Sequence, residues 1–321
     1  MTILRAFGTL MRETLKEWME DGGASIAAAL AYYAIFSLSP LLILLALVIG
    51  LVMDQQTVED NIIGGVEQTV GEDAAITFRQ ILSVDTDSTQ STVVGSIVWL
   101  SVMVWGASGL FAQLQNALNK IWEVKPMPGR SPLVFFKNRA FSFFIVIVGS
   151  LLFLTSLVIN TGLSVLIQNQ ETAASFALII RPLQIGLSIG IITLMFAVIF
   201  KVLPDVIISW RDVMVGALFT AGLFYLGQFL VGLYLANSNI GSVFGAAGSL
   251  TVILVWIYYS AQILLFGAEF TEVWARHHGA SIRPDADAVW INEEQARREA
   301  EAAGVDFVTR EPLSTTKDPA Q

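Results

Sequence analysis

Six stretches of this 321-residue chain run for 18 residues or more without an Asp, Glu, Lys or Arg, and no other property of the sequence constrains the fold as much. They cover residues 24–53, 92–114, 140–167, 182–200, 213–235 and 243–268. Lipid offers no partner to a backbone amide, so a long charge-free run is read as a membrane helix that satisfies its own hydrogen bonds. The expected fold class is therefore an all-α membrane protein with six transmembrane helices and amphipathic helices on both faces. Composition agrees: 55% of residues are hydrophobic and 14% charged, against roughly 25% charged in soluble domains. Cysteine is absent, which removes disulfides, thiolate nucleophiles and Cys-ligated metals from consideration.

The first run is 30 residues long, about 45 Å of helix against a hydrocarbon slab of about 30 Å. It must tilt, kink or protrude. Pro40, in Ser37-Leu38-Ser39-Pro40, supplies the kink, because it cannot donate to the carbonyl one turn back and leaves that group to a serine hydroxyl or a neighbour. Residues 1–21 place Ile3, Phe7, Leu10, Met11, Leu15, Trp18 and Met19 on one helical face. That pattern suits an interfacial helix lying on the membrane, or equally an amphipathic helix packed on the protein's own loops. No cleavable signal peptide is visible, since the first apolar run is too long for a signal segment.

The net charge of -9 hides a segregation. Residues 54–91 carry eight acidic side chains and one basic one, Arg79, whereas the connection after the second run carries Lys120, Lys125, Arg130, Lys137 and Arg139 with only Glu123. Positive charge stays inside, so both termini are expected in the cytoplasm, with only Arg79 and Arg181 of the 18 basic residues outside. Three regions follow: an interfacial helix over 1–21, a six-span membrane domain over 22–275 with a helical outer loop at 54–91, and a polar, partly disordered cytoplasmic tail over 276–321. In the outer loop Val58, Ile62, Ile63, Val66 and Val70, then Phe78, Ile81 and Leu82, recur near helical spacing and predict two short capping helices. In the tail, residues 292–303 suit one exposed helix.

Helices in lipid meet through small residues at four-residue spacing. Gly186 with Gly190, Gly241 with Gly245 and then Gly248, Ala24 with Ala27, Ala28 and Ala31, and Gly216, Ala217, Ala221 and Gly222 are the candidate contact faces, within one subunit or between copies in a homo-oligomer. The spans hold no ionisable side chain at mid-depth, which weighs against a carrier built on a buried carboxylate. They hold neutral polar groups instead, among them Tyr33, Ser37, Ser39, Tyr258 and Gln262. These serve either as interhelical hydrogen bonds or as the lining of a cavity for a neutral or amphiphilic substrate. Charges gather beside the cytoplasmic ends of the spans: Asp21, Lys120, Glu123, Lys201, Asp205, Arg211, Asp212 and Glu269, with Asn116 and Asn119 on the same helix end as Lys120. Either they form one polar cluster at the mouth of a vestibule, or they act as headgroup anchors and ion pairs between loops. Enzyme motifs are missing: no GxSxG, no phosphate-binding loop, no HExxH and no GxGxxG after a strand. His277 and His278 are adjacent and cannot face one metal from one helical surface. No catalytic residue, cofactor or metal is expected, and no nucleic-acid partner.

The stretches "DGGASIAAALAYYAIFSLSPLLILL", "FAQLQNALNKIW", "LPDVIISWRDVMVGAL" and "GSVFGAAGSLTVILVWIYYSAQILLFGAEF" resemble, in order and spacing, the YihY/BrkB family of bacterial inner-membrane proteins. The resemblance runs from about Asp21 to Phe270. Of the positions that recur in that family, Asp21, Pro40, Asn116, Asn119, Trp122, Pro204, Trp210, Gly216, Tyr234, Gly241, Gly245, Trp256, Gly267 and Glu269 stand in this chain. The resemblance implies a multi-pass protein of the bacterial plasma (inner) membrane. The family carries an old ribonuclease label and a virulence-factor label; the residues give the ribonuclease label no support. The expected function is a transporter or lipid-handling permease, with a cell-envelope scaffold that holds partner proteins through its outer loop as the alternative and a tRNA-processing enzyme last. The candidate substrate pathway comprises Asp21, Tyr33, Ser37, Ser39, Pro40, Asn116, Asn119, Asp205, Arg211, Tyr234, Tyr258, Gln262 and Glu269.

Overall fold

The computed structural model describes residues 2–50, 60, 62–64, 66–67, 75–79, 93–126, 148–149, 152, 173–237, 246–278, 282–286 and 288–291. Six long helices occupy these residues: α1 (Thr2–Glu20), α2 (Gly23–Gly50), α3 (Val93–Ile121), α4 (Ala173–Val202), α5 (Trp210–Asn237) and α6 (Ala246–His277). Among the described residues, three stretches are long and apolar enough to cross a membrane: Ile185–Val202, Trp210–Leu230 and Leu250–His277. A fourth arises if Arg5–Glu20 and Gly23–Leu38, bent by 64° at their junction, count as one. All of the third apolar run but residues 148–149 and 152, the Gly241 and Gly245 pair and the tail helix at 292–303 lie outside the described residues.

The bend has a local cause. Gly22 takes φ 71°, the left-handed conformation that only glycine adopts without a Cβ penalty, and this closes α1. Its N–H donates to the Met19 carbonyl at 3.2 Å, and its own carbonyl accepts the first amides of α2 from Ser25 and Ile26. Beyond the turn α1 packs along the last turns of α6. Trp18 meets Phe266 edge-on, Arg276 bonds Glu13 and Glu17, and Leu10 and Thr14 are buried. Phe7, Leu15 and Met19 remain exposed on the other side. The helix thus rests on the protein through its acidic flank and leaves these apolar side chains uncovered among the described residues.

Small residues set the bundle's closest approaches, as packing in lipid requires. On α5 and α6 the arrangement is reciprocal. Thr220 Oγ1 donates to the Gly216 carbonyl and Thr271 Oγ1 to the Gly267 carbonyl, both at 2.7 Å, while each threonine lies flush against the other helix's glycine. Ala217 and Ala221 are fully buried on the same face. Farther along, the Tyr259 phenol fills the space over Gly227. By contrast Gly186, Gly190 and Gly222 have open space above them among the described residues. On the α2–α3 seam Ser37 Oγ donates to the Gly106 carbonyl at 2.8 Å, and Pro40 packs over Gly106. The serine therefore serves the neighbouring helix, while α2 continues through Pro40 to Gly50.

At one end of the bundle, Trp122, Phe200, Phe196 and Phe224 form an aromatic chain that ties α3, α4 and α5. Two short antiparallel pairings close this end. β1 (Val124–Pro126) pairs with β4 (Ala288–Trp290), and β2 (Val206–Ile207) with β3 (Arg283–Pro284). At the other end, helical residues 62–64, 66–67 and 75–79 bury Ile62, Ile63 and Ala75, and bring Val66 and Phe78 against Val252 and Ile253 of α6. The rest of the outer loop at 54–91 lies outside the described residues.

Candidate functional site

The strand-closed end of the bundle holds a pocket of about 540 Å³ between the α1–α2 turn, the end of α3 and the end of α6. Its walls are acidic. Glu17 and Glu20 come from the last turns of α1, Asp21 from the turn, Glu123 from the residue pair after α3, and Glu269 and Glu272 from α6. Glu123 takes φ 50°, which turns the chain out of α3 into β1. Trp122, Ile282 and Trp290 supply the apolar part of the lining. Trp290 arrives there because β4 pairs with β1, and the Ile291 amide donates to the Glu123 carbonyl at 2.8 Å.

Arg276 balances part of this charge. Arg276 lies 2.5 Å from Glu17, 3.4 Å from Glu13 and, through Nε, 3.4 Å from Glu272. His277 Nε2 sits 2.9 Å from Glu13 Oε2. Glu17, Glu269 and Glu272 each bring one carboxylate oxygen within 4.8 Å of the others. Glu269 is 2% exposed, and its Oε2, like Glu272 Oε2, has no hydrogen-bond partner among the described residues. Asp21, on the pocket's rim, has its carboxyl pushed above the usual carboxylate range by burial; Lys120 opposes that rise, and Glu123, Glu17 and Glu20 add to it. The Lys120 ammonium itself donates to the Asp21 carbonyl at 2.5 Å.

The charges gathered beside the spans in the sequence thus fall into separate groups. Asp21, Glu123 and Glu269 line the pocket. Asp205 belongs to a clasp between α3 and the turn after α4. Asn119 Nδ2 donates to Asp205 Oδ2, Asn119 Oδ1 accepts from the Asp205 amide, both at 2.8 Å, and Gln115 Nε2 donates to Oδ1 at 3.2 Å. Lys201 donates to the Ile208 carbonyl. Asp212 is the third residue after the Ser209 cap of α5 and is joined to it in both directions, the serine hydroxyl donating to its carboxylate and the Asp212 amide to the serine oxygen. Arg211 and Asn116 are exposed.

A second opening lies deeper along the seam of α2 and α6. Ala28, Ala31, Tyr32 and Ile35 on one side and Leu254, Val255 and Tyr258 on the other enclose an apolar recess of about 490 Å³. Tyr33 is exposed one residue from it, and Gln262 is half-buried one turn beyond Tyr258. Ser37 and Pro40 sit on the α2–α3 seam instead. Ser39 lies in α2 and Tyr234 in α5; their side chains are outside the description. Sequence reasoning missed Glu17, Glu272, Arg276 and Trp290 as pocket residues. Glu17 and Glu272 carry the only available signal, acidic residues on the faces of α1 and α6 that point toward apolar neighbours, and it becomes readable only when the two helices are known to touch.

A family model described as virulence factor BrkB matches residues 14–290 of the chain. That range takes in the second half of α1 and strands β3 and β4 along with the helices. The chain is 26% identical over 263 residues to a UPF0761 membrane protein of Azotobacter vinelandii, covering 80% of this chain and 61% of that protein. A UPF0761 membrane protein of Acinetobacter baylyi is 23% identical over 273 residues, covering 84% and 62%. One of Rhodospirillum centenum is 26% identical over 270 residues, covering 82% and 56%. The chain thus spans about three fifths of the length of these curated relatives. No solved structure matches it.

Proposed function

The chain belongs to the virulence factor BrkB family of membrane proteins, and from that premise we propose that it is a six-span permease of the bacterial inner membrane that handles an amphiphilic substrate along the α2–α6 seam. The observation that carries this reading is the pair of openings on one seam. An apolar recess bordered by two phenols, Tyr32 and Tyr258, lies along α2 and α6, and the acidic pocket lies where the α1–α2 turn meets the end of α6. Asp21 lies in the turn that leads into α2 and Ala28 in the second turn of that helix, so the two openings follow one another along the chain. An amphiphile with its tail in the recess would direct its polar end toward the pocket. This reading assigns the site binding and passage, with no covalent step.

Six crossings with both termini in the cytoplasm fit the described helices. The Asn119–Asp205 clasp brings the C-terminal ends of α3 and α4 together, which supports a further crossing between these two helices. The charge bias between residues 54–91 and residues 120–139 then sets the acidic pocket on the cytoplasmic side.

Purified protein reconstituted in phosphatidylcholine vesicles carrying a headgroup-labelled phospholipid tests the reading, with loss of inner-leaflet label to an external quencher as the readout. The wild-type chain should accelerate that loss over empty vesicles, and Ala31→Trp, which fills the recess, should slow it at least tenfold. Protein-containing vesicles no faster than empty ones, or an Ala31→Trp variant as fast as wild type, would overturn it.

A further inference from the structure

We propose that the corner of the acidic pocket between α1 and α6 is a binding site for a hard divalent cation of calcium size, held by Glu17, Glu269 and Glu272. The site goes beyond the permease reading and does not depend on it. Three carboxylates converge there and one guanidinium, Arg276, contacts two of them, which leaves two formal negative charges in excess. Arg276 forms ion pairs with Glu17 and Glu272. Glu269 is 98% buried by its 2% exposure, lines the pocket, and holds Oε2 without a hydrogen-bond donor among the described residues. Glu272 Oε2 is in the same condition. A buried carboxylate oxygen finds a partner in folded proteins, and one with none among the described residues marks the place of an ion or a water.

The donor set selects the ion. Oxygen ligands alone, with neither histidine nor cysteine in the triad, suit Ca²⁺, Mg²⁺ or Mn²⁺ over Zn²⁺. Two oxygens on one ion lie at most twice the metal–oxygen distance apart, about 4.1 Å for Mg²⁺ and about 4.6 to 5.2 Å for Ca²⁺. The three oxygens here fall within 4.8 Å of one another, a spread that the longer bonds and flexible geometry of Ca²⁺ accommodate more readily than the strict octahedron of Mg²⁺. The 540 Å³ of the pocket leaves room for the waters that complete its coordination.

Calorimetric titration of the full chain in dodecyl maltoside, stripped with chelator and exchanged into chelator-free buffer, decides the matter with CaCl₂ and MgCl₂ as the probes. The expected result is one saturable Ca²⁺ per chain, Mg²⁺ weaker by tenfold or more, and Ca²⁺ affinity reduced at least tenfold in both Glu269→Gln and Glu17→Gln. Asp60→Asn, in the cap at the other end of the bundle, should bind as wild type. A wild-type chain that takes up no Ca²⁺ saturably, or a Glu269→Gln variant that binds it unchanged, overturns the site and shows that a proton or water alone occupies the corner. Should Glu269→Gln elute as aggregate, the thermal midpoint of the wild-type chain decides: a rise with Ca²⁺ that Glu272→Gln loses supports the site, and no rise refutes it. Because the readout is binding, the cation site can fail while lipid movement persists, and the reverse.

Discussion

Adding one methyl group to Gly267 tests how the α5–α6 contact is built. A β-carbon there would lie 2.7 Å from Thr220 Cγ2 and 2.8 Å from Thr220 Cβ, and closer still to the hydroxyl. Thr220 cannot step aside cheaply: it is β-branched, it is fully buried, and its Oγ1 is committed to the Gly216 carbonyl at 2.7 Å. Overpacking of a close contact costs about 1–3 kcal/mol, and disturbing the threonine's hydrogen bond adds about 0.5–1.5 kcal/mol. Alanine returns about 1 kcal/mol of helix propensity. The net expectation for Gly267→Ala is a loss of about 2 kcal/mol by the same principles. Gly186→Ala, with open space over the glycine, should be neutral or slightly stabilising. The assay is denaturant unfolding in mixed micelles, with the double variant Gly267→Ala/Thr220→Ala completing a cycle. Removing the obstructing threonine should recover at least half of the loss, a coupling of about 1 kcal/mol or more. If Gly267→Ala unfolds at the same denaturant concentration as Gly186→Ala, or if the double variant is simply the sum of the singles, the reciprocal glycine–threonine contact does not hold these helices together.

Two further outcomes follow from the charged end. Asp205→Ala removes both acceptors that anchor Gln115 and Asn119, so it should cost about 2–4 kcal/mol from bonds to a charged group; a loss under about 1 kcal/mol in the same unfolding assay would show the clasp to be dispensable. For Asp21 the sign follows from its raised pKa: the folded chain holds the proton more tightly than the unfolded one, so ionisation penalises folding once the pH exceeds the unfolded value of 3.8, and the penalty is complete above the folded value. Asp21→Asn should therefore unfold at a higher temperature than wild type at pH 8 and lose that advantage as the pH falls toward 4, whereas a difference independent of pH would assign the effect to packing instead.

The candidate site was legible only in part. Asp21 and Glu269 stand out in the sequence because each is the charge that directly borders a long apolar run. Glu17 and Glu272 do not, since an acidic residue on an amphipathic helix is ordinarily solvated, and 255 residues separate them. Nor does the sequence divide Asp21 and Glu269 from Asp205, because all three border membrane segments. Distance in space made that division: one pair faces the α1–α6 corner, and Asp205 faces the end of α3. The same holds for Ser37, whose neighbour Pro40 invites a bond within α2, while the acceptor its hydroxyl reaches is the Gly106 carbonyl of α3.

What the sequence determined by itself is a matter of solvent. Burying a charge in hydrocarbon is so costly that runs free of charge identify membrane helices one residue at a time, and the small residues on α5 mark the face that can approach a neighbour. Local chemistry likewise set the break at Gly22 and the cap at Ser209. Tertiary structure alone decided which faces meet: that α1 folds back onto the end of α6, that β4 carries Trp290 to the pocket, and that Gly216 and Gly267 each receive the other helix's threonine. Periodicity along one helix records which face avoids solvent, but the partner of that face depends on how several helices fill space together, and that is a property of no single segment.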